Sequence, residues 1–191
     1  MTRETLIRQL EAYTPFNEQE ERDRATILKQ LREVPDIFER GNPVAHMTAS
    51  AWVVNRDRTK VLMAYHNIYD SWSWLGGHAD GETDLEQVAL REVREESGVS
   101  NVRAIFDGIF SVEVLTVDGH EKRGAYVGSH LHLNLTWLVE ADESEPLRTA
   151  EGENSDVAWF PTAEALKRST EPWFVERIYG KLAAKTAAVH Q

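Results

Sequence analysis

The chain has 191 residues, enough for one domain with a sizeable core and an extension. Its formal net charge of −11 argues against a sequence-blind grip on nucleic-acid polymers, which depends on Lys and Arg neutralising phosphates. There is no cysteine, which excludes disulfides, thiolate nucleophiles and cysteine-ligated zinc.

Residues up to about 43 read as a helical extension. Leu6, Ile7 and Leu10 mark a short amphipathic helix that ends before Pro15. Asn17 with Glu20 has the form of a capping box for a second helix, in which Ile27, Leu28 and Leu31 make the apolar stripe. Gly41-Asn42-Pro43 closes the segment. No titratable cluster here suggests chemistry. The extension is expected to pack on the core, with a dimer contact or a shield over the site as alternatives. From His46 the period changes to two. His46–Val54 and Lys60–His66 read as strands, and Ser71–Leu75 runs extended into a pair of glycines.

The stretch Gly76–Val99, GGHADGETDLEQVALREVREESGV, reads as a glycine-hinged loop followed by one helix. Asp84 or Thr83 is its N-cap and Gly98 lies just past its C-terminus. Glu92, Glu95 and Glu96 share one face, with Cβ atoms roughly 5–6 Å apart. They also sit at the negative end of the helix dipole, which costs about 0.3–1 kcal/mol per charge. Two readings stay open on spacing alone: a site for a hard cation such as Mg²⁺ or Mn²⁺, or a solvated acidic face paired with Arg91.

With its glycines, the stretch resembles the signature box of the Nudix hydrolases. That box is a glycine, five residues, Glu, seven residues, then Arg-Glu-apolar-x-Glu-Glu-x-Gly-apolar. Its second half matches without a gap from Arg91 to Val99. In its first half, counting back from Arg91 sets the glycine at Gly77 and places Thr83 where the box has Glu. Glu82 comes one residue early, so Glu82 or Asp80 would have to stand in.

Further strands are expected from about Val102 to Val117 and from Ala125 to Glu140, joined by Asp118-Gly119-His120-Glu121. Between His130 and Thr136 the pattern alternates strictly. The leucines face the core, and His130, His132, Asn134 and Thr136 share the other side. An acidic loop, a short strand at Val157–Phe160, a helix from Pro161 and a last helix opened by Glu171-Pro172 complete the chain. This order reads as an α/β/α sandwich around a mixed β-sheet, the fold the resemblance also implies. The division is a helical extension over 1–43 and a Nudix-type domain over 44–191, with the resemblance itself covering roughly 44–170. No run approaches the ~18 apolar residues of a membrane span, and a soluble, cytoplasmic protein is expected.

The resemblance implies hydrolysis of a diphosphate bond in a nucleoside diphosphate linked to another group, with Mg²⁺ (or Mn²⁺) as cofactor. It assigns Glu92 and Glu96 as primary metal ligands and Glu95 as a further ligand or the general base. The Gly76 carbonyl completes the shell, and Arg91 orients a carboxylate. Glu151, Glu153 and Asp156 are outside candidates for the base. Candidate substrate contacts are His78, Trp74, Glu82 and His132, with Trp72, Tyr65 and Tyr69 as further stacking residues. His130 and His132 at i, i+2 suggest a zinc pair, but with no third ligand in sight they read as a polar strand face, which must be solvated or occupied. The expected partner is a small phosphorylated molecule, with no nucleic-acid polymer and no membrane, and a homodimer stays open. The rival reading is a catalytically inactive nucleotide- or metabolite-binding regulator on the same scaffold. A diphosphate isomerase is disfavoured because such enzymes of this fold use a cysteine. Substrate identity is not legible.

Overall fold

The computed structural model of the chain describes residues 1–122, 124–152 and 154–189, Lys122 by its backbone alone. Its axis is β1 (Ala45–Val54), buried along its whole length. β1 pairs in parallel with β9 (His130–Ala141) from Ala45↔Leu131 to Val54↔Glu140. The other edge of β1 is shared. β4 (Leu75–His78) takes Thr48 to Ala51, and β2 (Lys60–His66) meets it at Val54↔Val61. β3 (Ser71–Ser73) and β10 (Asn154–Pro161) pair with β2, whereas β5 (Val102–Ala104) and β6 (Ser111–Val117) pair with β9. The result is an eight-stranded mixed sheet, with a separate ribbon of β7 (His120–Lys122) and β8 (Ala125–Val127).

Helices cover both faces. On one, α3 (Leu85–Ser97) packs with α1 (Arg3–Ala12) and α2 (Glu18–Glu33) in a single buried cluster. Leu6, Leu10, Ile27 and Leu31 of the extension belong to it, as do Val88 and Val93 of α3 and Met47, Ala49 and Leu133 of the sheet. The extension therefore packs on the core. The opposite face holds α4 (Thr162–Arg168), α5 (Pro172–Phe174), a π-helical segment Val175–Tyr179 and α6 (Gly180–Ala188). There Ile178, Tyr179 and Leu182 pack on Trp52, Leu115 and Leu138. Among the described residues no helix is long and apolar enough to cross a membrane.

Two expected long strands are interrupted. β5 and β6 both pair with the same edge of β9, so Ile105 to Phe110 leave the sheet while the chain steps from beside Val139 to beside Thr136. β9 starts only at His130, and β8 pairs with β7 instead.

The capping box of α2 is half formed. The Asn17 side chain accepts the Glu20 amide at 2.9 Å, but the Glu20 carboxylate is fully buried elsewhere. Its Oε2 accepts from the Tyr13 hydroxyl (2.6 Å) and the Phe16 amide (2.7 Å). Its Oε1 lies 2.8 Å from Lys185 Nζ and 3.2 Å from Lys181 Nζ. Lys181 also donates to Glu113 at 2.9 Å. Glu113 in turn accepts from Asn134 (3.0 Å) and Thr136 (2.8 Å), and Asn134 accepts from Thr48 (3.0 Å) and Ser50 (2.9 Å). The polar side of β9 is thus occupied by a buried network, and the extension does carry a titratable group in it.

Burial pushes the Glu20 carboxyl up, but the Lys181 and Lys185 ammoniums outweigh it and hold it down at about 2. A depressed carboxyl contributes stability above its ordinary value of 4.5 and loses it as pH falls towards 2. Glu20→Gln is expected to destabilise by roughly 3–5 kcal/mol in neutral-pH urea unfolding, because it leaves buried ammoniums uncompensated. The gap between wild type and variant should narrow steadily between pH 4.5 and 2.

Candidate functional site

The carboxylates are positioned by α3 and by the backbone of β4. Asp84 caps α3, accepting from the Gln87 amide at 3.5 Å, and Gly98 ends it in the left-handed region at φ 76°. Between these ends Leu85, Val88, Ala89 and Val93 are buried against the sheet. This docking turns the flank bearing Arg91, Glu92, Glu95 and Glu96 towards β4.

Glu96 is almost fully buried, and its Oε2 accepts the Gly76 amide at 2.9 Å. The main-chain oxygen of Glu96 accepts from Asn154 Nδ2 at 3.0 Å, tying the end of α3 to β10. Glu92 lies flat against Gly77, where a Cβ would come within 2.5 Å of its carboxylate carbon. Arg91 donates to Glu92 at 3.2 Å and lies 3.9 Å from Glu95, whose side chain is 59% exposed. The structure therefore brings Gly76, Gly77, Glu92 and Glu96 together, with Arg91 and Glu95 on their outer side. The Gly76 contact runs through its amide.

The two stand-ins for the first-half glutamate have other partners. Asp80 forms a two-pronged ion pair with Arg40, which holds its carboxyl below the usual range. Glu82 is exposed and accepts the Thr83 and Asp84 amides, both at 2.9 Å, at the entry to α3. Trp74 meets Tyr179 and Phe174 edge-on, and Trp72 meets Tyr65 and Phe160 likewise. Tyr65 is hydrogen-bonded to Asp70, while Tyr69 lines an open cavity of about 420 Å³ together with His120, Glu171, Trp173 and Phe174. None of the three glutamates lines that cavity. Glu151 lies in an exposed turn, and exposed Asp156 accepts its neighbour's amide at 2.8 Å. Glu153 falls outside the described residues.

The histidines give the largest departure from expectation. His46 is matched with His132 across the parallel β1–β9 pair, and a ring nitrogen from each of His46, His130 and His132 falls within 4.8 Å of the others. His78 packs against two of them, its ring centroid 5.1 Å from His46 and 4.9 Å from His132. Burial, reinforced by the neighbouring imidazoles, pushes His132 down to about 2 and so keeps it neutral. Burial also lowers His46. The third histidine that the sequence reading lacked is thus His46. The pertinent signal was its parity with Thr48 on an alternating strand, but the parallel register that places it beside His132 is not written locally.

This arrangement beds a glycine pair against the carboxylates of one helix, within the mixed sheet and flanking helices of a Nudix-type fold. The sequence model of the NUDIX domain matches residues 44–180, and the chain belongs to that family. Solved structures share the fold. A C. elegans Ap4A hydrolase in a binary complex is 20% identical, with 74% of this chain and 95% of that one covered and a TM-score of 0.51. RenU, a Nudix hydrolase from M. smegmatis, is 16% identical over 76% and 88%, with a TM-score of 0.56. A NUDIX hydrolase from Nitrosomonas europaea is 18% identical over 74% and 88%, with a TM-score of 0.53. No curated protein matches the chain at a significant level.

The two glycines should respond differently to substitution. At Gly76 a Cβ would meet the Ala49 carbonyl at 2.5 Å, which is backbone, so Gly76→Ala is expected to lower stability by about 1–3 kcal/mol or more. At Gly77 it would meet only the movable end of Glu92. Gly77→Ala should therefore keep most of its stability yet displace that carboxylate, which parallel melting and Mn²⁺-binding measurements would separate.

Proposed function

We propose that the chain is a divalent-metal-dependent hydrolase of the diphosphate bond in a nucleoside diphosphate linked to another group. The observation that carries this reading is the seating of Glu92 and Glu96 against the Gly77 and Gly76 backbone at the C-terminal end of α3. Carboxylates held there against both mutual repulsion and the helix dipole form an all-oxygen donor set suited to Mg²⁺ or Mn²⁺. Glu92 and Glu96 would hold the ion, with Glu95 beside them. When bound, it would neutralise phosphate charge and acidify water.

The chain's own residues divide the remaining work. Arg91 donates to Glu92 at 3.2 Å and holds it in place, while standing 3.9 Å from Glu95. Glu95, the most exposed of the three, is free to swing to a water and accept its proton. The β4 backbone holds Glu96 through one charge-assisted hydrogen bond, so that carboxylate needs no rearrangement on substrate binding. The open cavity beside Tyr69 and Trp173 offers aromatic faces for the base or the second group. The protein would act in the cytoplasm on a small phosphorylated molecule.

The test is product analysis with Mg²⁺ or Mn²⁺ across sugar nucleotides, dinucleotides and modified nucleoside triphosphates. Dinucleoside polyphosphates belong in that panel, because one fold neighbour is an Ap4A hydrolase. At least one substrate should yield two phosphorylated products. Glu96→Gln and Glu92→Gln should each cost at least about 100-fold in kcat/KM, the upper effect of disturbing even an outer ligand contact. Glu95→Gln should cost about 10²–10⁴-fold if it is the base. Wild-type turnover in all three would overturn the assignment, and ligand-induced melting shifts without any product would establish the non-catalytic binder.

A further inference from the structure

We infer that His46, His130 and His132 supply three nitrogen ligands of a tetrahedral binding site for a transition-metal ion of the Zn²⁺ class, distinct from the carboxylate site, with His78 packed beside them. His46 is 3% exposed, and its Nδ1 is hydrogen-bonded to the Asn42 carbonyl at 3.2 Å. Its buried Nε2 has no hydrogen-bond partner among the described residues. His130 repeats the pattern, with Nδ1 at 2.8 Å from the Gly128 carbonyl. In both rings Nδ1–H donates to the carbonyl oxygen, which leaves Nε2 with its lone pair, the tautomer that ligates metal.

One nitrogen pair, also within hydrogen-bonding distance, already has the spacing of a coordination shell, and the three ring nitrogens together lie within 4.8 Å. His130 Nε2 and His132 Nε2 lie 3.2 Å apart. Two nitrogens bound tetrahedrally at 2.0–2.1 Å stand about 3.3 Å apart. Ring centroids of such ligands fall about 5 Å apart by the same geometry. The observed separations are 4.8 Å for His46–His130, 5.0 Å for His46–His132 and 5.1 Å for His130–His132. His78 meets His46 and His132 at 5.1 and 4.9 Å. Here Nδ1 of two rings is turned out to backbone carbonyls.

The donor set selects the metal. Imidazole nitrogens suit Zn²⁺, Cu²⁺ and Ni²⁺, whereas Mg²⁺ takes oxygen. The three ligands come from β1 and β9, so one ion would clamp these two strands together.

The experiment uses untagged full-length chain stripped with a chelator, then titrated with Co²⁺ and Zn²⁺. One equivalent of Co²⁺ should give the intense visible bands of tetrahedral nitrogen ligation. Zn²⁺ should displace it, millimolar Mg²⁺ should not, and Zn²⁺ should raise the melting temperature. His46→Gln should weaken binding at least about 100-fold. His130→Gln, at a more exposed position, should do the same in a chain whose circular dichroism matches wild type. The double variant Glu92→Gln/Glu96→Gln should retain the bands. A weak octahedral spectrum, displacement by Mg²⁺, or undiminished binding in folded His130→Gln would overturn the site.

Discussion

Four clustered charges, buried Glu20, Glu113 and Lys181 with partly buried Lys185, are the constraint around which this molecule closes. Each is expensive to remove from water, by several kcal/mol, and none would be tolerated alone. Together they are neutral, and they come from α2, β6 and α6. The extension, the far edge of the sheet and the C-terminal helix must therefore assemble at once. Ser111, Thr136 and Asn134 complete the oxygen and nitrogen valences, so the network is satisfied rather than merely balanced. It continues along the sheet through Thr48 and Ser50, towards the histidines.

β4 stands between two kinds of chemistry because a strand sends successive residues to opposite sides. Gly77 faces the α3 side and leaves room for the Glu92 carboxylate. His78, matched with Thr48, faces the other side and meets His46 and His132. Oxygen donors on one side and nitrogen donors on the other differ in the cations they prefer. The split edge of β1 makes this possible. Had β2 paired along all of β1, no four-residue strand could lie beside the end of α3.

What the sequence disclosed was local. The α3 helix, its Asp84 and Gly98 caps, the face carrying Arg91 to Glu96 and the alternation from His130 to Thr136 all follow from spacings within one element. Pairings between elements were hidden. Glu20 fits a capping box as well as any glutamate, and Lys181, Lys185 and Ser111, far away in the chain, help to draw it elsewhere. Asp80 reads as a possible site carboxylate until Arg40 of the extension is placed beside it. His46 gains its meaning from a parallel register that no turn encodes. The placement of Glu92 and Glu96 depends on β4 lying against α3, which the glycine pair permits but does not announce.

The π-helical segment Val175–Tyr179 sets a phase. A π turn holds one residue more than an α turn, and here the Gly180 amide reaches back to the Val175 carbonyl. With each α residue advancing the azimuth by about 100°, that extra residue turns everything after it by nearly a quarter of the circle or more relative to Trp173 and Phe174. The aromatic residues that line the open cavity and the lysine that meets Glu113 are thereby decoupled in direction although they share one rod. A chain lacking one residue here could keep a continuous helix and both halves of its sequence. It could not keep Phe174 at the cavity and Lys181 in the core together. The segment is the gear tooth that meshes the surface with the interior.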